Sequence, residues 1–123
     1  MKKFDVVKTV LGERLHCLPV NKTAKTFAPT NIALCKYWGK RNQELNLPVT
    51  SSLSISLGNK GAALTLKVHD HFEDIIALNN QRIKLHSSFG FRLIEFLNLF
   101  RNKHHPFLDI NIVSNIPIAA GLA

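Results

Sequence analysis

Leu53, Ile55 and Leu57 alternate with Ser52, Ser54 and Ser56, the period of two expected of a half-buried strand. Gly58-Asn59-Lys60-Gly61 follows with hairpin chemistry, which predicts that Ala62 to Val68 returns as the partner strand. Upstream, Thr26 to Tyr37 reads as extended: Phe27, Ile32 and Leu34 are apolar, and Pro29 holds Ala28 in a β or polyproline conformation. Pro29-Thr30 before Asn31 predicts a bend between two strand segments. Ile75 to Leu78 and Arg82 to Leu85 flank a tight turn at Asn79-Asn80, where asparagine tolerates positive φ. The pattern then changes. Phe89, Leu93, Phe96, Leu97 and Phe100 fall at helical spacing between Ser88 and Asn102, with Ser87 or Ser88 as the cap and Pro106 as the stop. Leu108, Ile110 and Ile112 alternate as another strand, and Ser114 to Ala123 reads as a loop. Residues 1–22 show no clear periodicity, consistent with a short helix or an N-terminal extension. Mainly antiparallel sheet with a packed helix is an α+β domain.

Composition narrows this further. The chain of 123 residues is 46% apolar and 20% charged, a globular balance that suits one domain with one core and leaves no internal repeat or linker tract. Sixteen Lys and Arg against eight Asp and Glu give +8, so the surface attracts anions, whether nucleic acid, anionic membrane or phosphorylated metabolites. The apolar residues after Met1-Lys2-Lys3 are broken by Asp5, Lys8, Glu13 and Arg14, which denies them a secretory h-region, and no run reaches membrane-spanning length. Cys17 and Cys35 match neither a redox Cys-x-x-Cys nor a zinc pattern; free thiols suit a cytoplasmic protein.

Two segments carry chemistry. Lys36-Tyr37-Trp38-Gly39-Lys40 sets the only Tyr and the only Trp between two lysines. If Gly39 turns the chain at a strand end, two ammonium groups and a phenol converge on a concave edge suited to a diphosphate. The blander reading is a solvated lysine pair beside two core aromatics. Ile116 to Ala123 is rich in small residues after a strand, which lets backbone N–H groups approach a phosphate if a helix follows. The alternative is a frayed tail, but a finished domain seldom stops on an apolar run, so a chain cut short is expected. His69-x-His71 and His104-His105 lack the spacing of a zinc site, and Asp70 and Asp109, one in a turn and one on a strand, are poorly placed as a catalytic base.

Together, "APTNIALCKYWGKRNQELNLPVTSSLSISL" and "IPIAAGLA", with a weaker likeness at "ALNNQRIKL", resemble the diphosphomevalonate decarboxylases of the GHMP kinase superfamily over roughly Thr26 to Ala123. The resemblance implies the N-terminal part of a GHMP kinase-type two-layer domain from residue 23 onward, truncated at the phosphate loop. It implies ATP-dependent decarboxylation of mevalonate 5-diphosphate to isopentenyl diphosphate, with magnesium carried on the ATP. By that resemblance Lys36 is catalytic, Asn31, Tyr37 and Lys40 bind substrate, and Trp38 supports the site by packing. Ala119, Ala120, Gly121, Leu122 and Ala123 begin the ATP loop. Val49-Thr50 stands where the family has Thr-Asn, and Ile118 where it has Thr. The family's site Arg and catalytic Asp come later than residue 123, so the chain alone is expected to be inactive, with uncovered apolar faces. No nucleic-acid or membrane partner is implied, and a homodimer is left open. The rivals are a related kinase that phosphorylates mevalonate or its monophosphate without decarboxylation, and a basic nucleic-acid-binding module.

Overall fold

The protein is described from a computed structural model, over residues 2–16, 23–101 and 104–117. Helix α1 (Lys3–Leu11) is followed by a 3-10 segment (Gly12–His16), so the first part of the N-terminal stretch is helical. The Asp5 carboxylate in its first turn accepts the Lys2 N–H at 2.8 Å, and Leu15 tucks in with 4% exposure.

Strands β1 (Thr23–Cys35), β4 (Leu53–His69), β5 (Ile75–Leu78), β6 (Gln81–Ile83) and β7 (Phe107–Ser114) form a five-stranded sheet in the order β1-β4-β7-β5-β6. Strands β2 (Lys40–Asn42) and β3 (Leu47–Pro48) form a separate pair. All pairs are antiparallel except β5 with β7, whose connection carries β6 and α2 (Ser88–Leu97). This is the α+β architecture read from the sequence. Registry builds the core: Leu66 faces Ile110, Ile110 faces Ile76 and Ile76 faces Ile83, so one apolar row crosses four strands. Ile76 and Ile110, in the middle of that row, are fully buried, a gain of about 1.5–3 kcal/mol each.

Asn79 and Asn80 both take positive φ, as their tight turn requires. The predicted hairpin at Gly58 to Gly61 does not form. Strand β4 runs straight through it and pairs with β1 on both sides, Asn31 with Ser56 and Pro29 with Gly61. Thr30 alone therefore opposes Leu57 to Lys60, and the turn-favouring residues are spent on a wide bulge. The bend expected near Asn31 is the other side of that bulge, within one continuous strand. Gly61 is held tightly there: a Cβ would collide with the Ala28 carbonyl oxygen and stand 2.7 Å from Pro29 Cα. Gly61→Ala is accordingly expected to lose about 1–3 kcal/mol through overpacking, read as a lower urea midpoint of the full-length protein; an unchanged midpoint would contradict it.

Ser87 caps α2, its Oγ accepting the Gly90 N–H at 3.1 Å. The helix ends at Leu97, short of the expected Asn102, and Pro106 is not its terminator. Leu99 and Phe100 donate to the carbonyls of Phe96 and Leu97 at 3.1 and 2.9 Å, a tightening of the last turn just before Arg101. Arg101 then meets Asp74 with two hydrogen bonds of 2.9 and 2.6 Å, and Asp74 also accepts the Leu108 N–H at 2.9 Å. One carboxylate so fastens the exit of α2 to the start of β7.

Among the described residues no helix is long and apolar enough to cross a membrane. Near α2, a hollow of about 500 Å³ is walled by Val6 and Val7 of α1, Leu45, Phe96, Leu99 and Phe100. Ile32, Leu34, Leu53 and Ile55 lie exposed on the outer half of the β1–β4 pair, the uncovered apolar surface that the sequence reading expected.

Candidate active site

The lysine-rich segment leaves the sheet where β1 ends. Lys36, Tyr37 and Trp38 are irregular, Gly39 takes φ +76° and Lys40 opens β2. That left-handed turn is the one Gly39 was expected to make, and it is why a glycine stands between the aromatics and the second lysine. Lys40 pairs with Pro48 and Asn42 with Leu47, so the end of the Lys36 to Lys40 segment and Leu47-Pro48 are joined in one small sheet. Its turn is closed locally: Asn42 Oδ1 accepts the Leu45 N–H at 2.9 Å and Asn46 adopts φ 56°.

Two further bonds hold the aromatic segment. Val49 N–H donates to the Gly39 carbonyl at 3.3 Å, and Trp38 N–H donates to Thr50 Oγ1 at 3.4 Å. Thr50 thus has a structural role that sequence reasoning missed, at the position where the resembling family carries an amide side chain. Its signal was present only as a departure from the family's pattern. Tyr37 is half-buried, whereas Trp38 is 85% exposed. The expectation that Trp38 supports the site by packing is therefore not met within this chain, because the Gly39 turn carries the indole outward.

Lys36 and Lys40 are both exposed, and among the described residues neither is in an ion pair. Unneutralised ammonium groups flanking a half-buried phenol keep their attraction for an anion. Asn31 lies on β1 itself, opposite Ser56, with Ala33 opposite Ser54. Side chains alternate across a strand, so Asn31, Ala33, Ser54 and Ser56 share a polar face and Ile32 and Ile55 share the apolar one. At most about 17 Å of extended chain separates Asn31 from Lys36. Ser54 and Ser56 share the face of Asn31, a neighbourhood that the strand pattern had marked only as the polar half of an amphipathic strand.

Asn31 also lines a hollow of about 270 Å³ together with Ala28, Pro29, Thr30, Gly61, Ala62 and Ile116. Ile116 is the first residue of the small-residue segment, so the start of that segment lies beside Asn31, while Lys36 to Lys40 do not line this hollow. Ala119 to Ala123, Ile118 and Cys17 lie outside the described residues. Cys35 is an exposed free thiol. The His69 and His71 rings are 4.6 Å apart, with His71 N–H donating to His69 Nδ1, and among the described residues no group of His, Cys, Asp and Glu is arranged for a metal. Asp109 sits in the middle of β7, paired with Lys67 and Ile75.

A family model, the diphosphomevalonate decarboxylase-like N-terminal domain, matches residues 28–123. The chain belongs to that family. A diphosphomevalonate decarboxylase of Debaryomyces hansenii is 36% identical over 115 residues, 82% of this chain and 30% of the relative. A solved structure on the mevalonate diphosphate-mediated ATP-binding mechanism of the mevalonate diphosphate decarboxylase from Enterococcus faecalis has a TM-score of 0.66 at 36% identity, covering 82% of this chain and 32% of that one. A further solved chain, described as MDDEF in complex with MVAPP, AMPPCP and magnesium, has a TM-score of 0.67 at 38% identity, covering 82% and 31%. This diphosphomevalonate decarboxylase-like domain thus spans about a third of the length of the relatives it matches. The Lys36 to Lys40 turn, the β2–β3 pair and the hollow beside Asn31 all lie within the matched residues.

Proposed function

We propose that the full-length protein containing this domain decarboxylates mevalonate 5-diphosphate to isopentenyl diphosphate, consuming ATP and releasing ADP, phosphate and carbon dioxide. The observation that carries this reading is the Lys36 to Lys40 turn, two exposed ammonium groups, without an ion pair among the described residues, around a half-buried tyrosine, within the residues that the family match spans. Tyr37 and Lys40 bind the anionic ends of the substrate, the phenol adding a directional hydrogen bond to a phosphate or carboxylate oxygen. Asn31 orients the substrate from the polar face of β1. Lys36 stands beside the tertiary 3-hydroxyl and stabilises the charge that develops there as it takes up a phosphoryl group. ATP supplies that phosphoryl group, which turns a poor leaving group into a good one; its departure draws off the carboxylate as carbon dioxide.

Ala119 to Ala123 begin the loop assigned to the ATP phosphates. Magnesium is assigned to the nucleotide, since the described residues gather no carboxylate set of the kind a resident ion needs. The base that takes the hydroxyl proton is assigned to the portion of the family's length that this chain does not span.

Full-length protein given ATP, magnesium and mevalonate 5-diphosphate is expected to release ADP and carbon dioxide in equal amounts, followed by a coupled ADP assay and trapped carbon dioxide. ADP without carbon dioxide would assign a kinase of the same superfamily instead. No substrate-dependent ADP at all would remove the reading.

A further inference from the structure

Where β7 ends, an asparagine does work that the proposed reaction has not yet been given. Asn115 Oδ1 accepts the Gly61 N–H at 2.7 Å, its Nδ2 donates to the Asn59 carbonyl at 2.7 Å, and its own N–H donates to the Gly61 carbonyl at 3.1 Å. All three bonds cross to the β4 bulge. On the other side of the same strand end, Asn79 Oδ1 accepts the Ser114 N–H at 2.8 Å. The Ser114 hydroxyl closes a local turn with the backbone of Ile116, at 3.2 and 3.3 Å. The chain thus enters Ile116-Pro117 from a strand end that is bracketed on both sides.

The bulge that Asn115 grips is wedged against β1, because Gly61 sits directly under Ala28 and Pro29. Two residues past Pro29 stands Asn31, and Asn31 and Ile116 line one hollow. A carboxamide is well suited to this junction, since it satisfies a backbone donor and a backbone acceptor at once. Alanine would leave both backbone groups without that partner and hold the strand end to the bulge by the Asn115 main-chain bond to Gly61 alone.

We infer that Asn115 is a positioning residue: it sets where the phosphate-binding loop departs relative to the Asn31 strand, and through it the affinity for the nucleotide. The inference rests on the ATP-dependent reading above.

In the full-length protein, Asn115→Ala is expected to raise the KM for ATP about tenfold, the effect of losing two neutral hydrogen bonds, with the KM for mevalonate 5-diphosphate changed less than about threefold. Asn115→Asp keeps the acceptor for Gly61 but not the donor for Asn59 and should fall between. Asn59→Ala should match wild type, because Asn59 contributes only its backbone carbonyl to the clip. A merely structural role would shift both KM values alike, or neither, and either result overturns the inference. Calorimetric titration with Mg-ATP separates the two readings. A wild-type protein that binds ATP without turning over, with Asn115→Ala binding about tenfold more weakly, loses the decarboxylase assignment and keeps the clip. Normal turnover with unchanged ATP affinity in Asn115→Ala loses the clip alone, and a wild type that neither binds nor turns over loses both.

Discussion

Replacing Lys36 with alanine in the full-length protein is expected to cut kcat by about 10² to 10³ while leaving the KM for mevalonate 5-diphosphate within a few-fold of wild type, measured by coupled ADP release. The reasoning follows the charge. In the ground state the 3-hydroxyl is neutral, and the substrate's anionic ends carry the attraction to the site. In the proposed reaction negative charge is redistributed around the reacting oxygen as phosphoryl transfer proceeds, and the ammonium group assigned there would need no solvent reorganisation to meet it. An interaction that strengthens in the transition state appears in kcat. Lys40 gives the contrast. It is assigned to an anionic end that stays charged throughout, so Lys40→Ala should raise KM with kcat largely kept. Lys36→Arg should not restore the rate, because a planar guanidinium does not reproduce a compact point charge. If Lys36→Ala raised KM and spared kcat, Lys36 would be a binding residue and the assignment of roles would have to be redrawn.

Much of this site could be read before the structure, and what could not has physical reasons. Short-range chemistry was legible. Asn79-Asn80 turned as asparagine pairs do, Ser87 capped α2, and Gly39 took a left-handed conformation between the aromatics and Lys40. The Gly58 to Gly61 segment misled because a turn and a wide bulge demand the same residues; what decides between them is the partner strand, and β1 is long enough to pair on both sides of the bulge. The outward swing of Trp38 was hidden for a related reason. An indole reads as core unless one knows which way the adjoining turn points. The contacts that reach across the sequence could not be read at all: Asn115 with Asn59 and Gly61, Thr50 with Trp38, and Asp74 with Arg101 are meetings of residues that no local period relates.

The last of these pairs gives the second large effect. Asp74→Ala in the full-length protein is expected to cost about 3–5 kcal/mol of stability at pH 7, because it strands the Arg101 guanidinium, only 16% exposed, and the Leu108 N–H. Burial by itself would raise the Asp74 carboxyl, but the two Arg101 hydrogen bonds, the Leu108 N–H and the Arg101 charge, with a smaller electrostatic contribution from His69, outweigh it and hold the group below its ordinary value. A carboxylate depressed in the folded state stabilises it above the unfolded pKa, about 3.9. That contribution is lost as pH falls through this value toward the lower folded one. The gap between wild type and Asp74→Ala should therefore be constant between about pH 5 and 7 and shrink below about pH 4. Arg101→Leu should behave differently. With the guanidinium gone, burial dominates and the Asp74 carboxyl moves up, so that variant should recover part of its loss at a higher pH than Asp74→Ala does. Urea midpoints for the three proteins between pH 3 and 7 test both statements. Equal stability of wild type and Asp74→Ala at neutral pH would mean that the exit of α2 is fastened to β7 by something other than this pair.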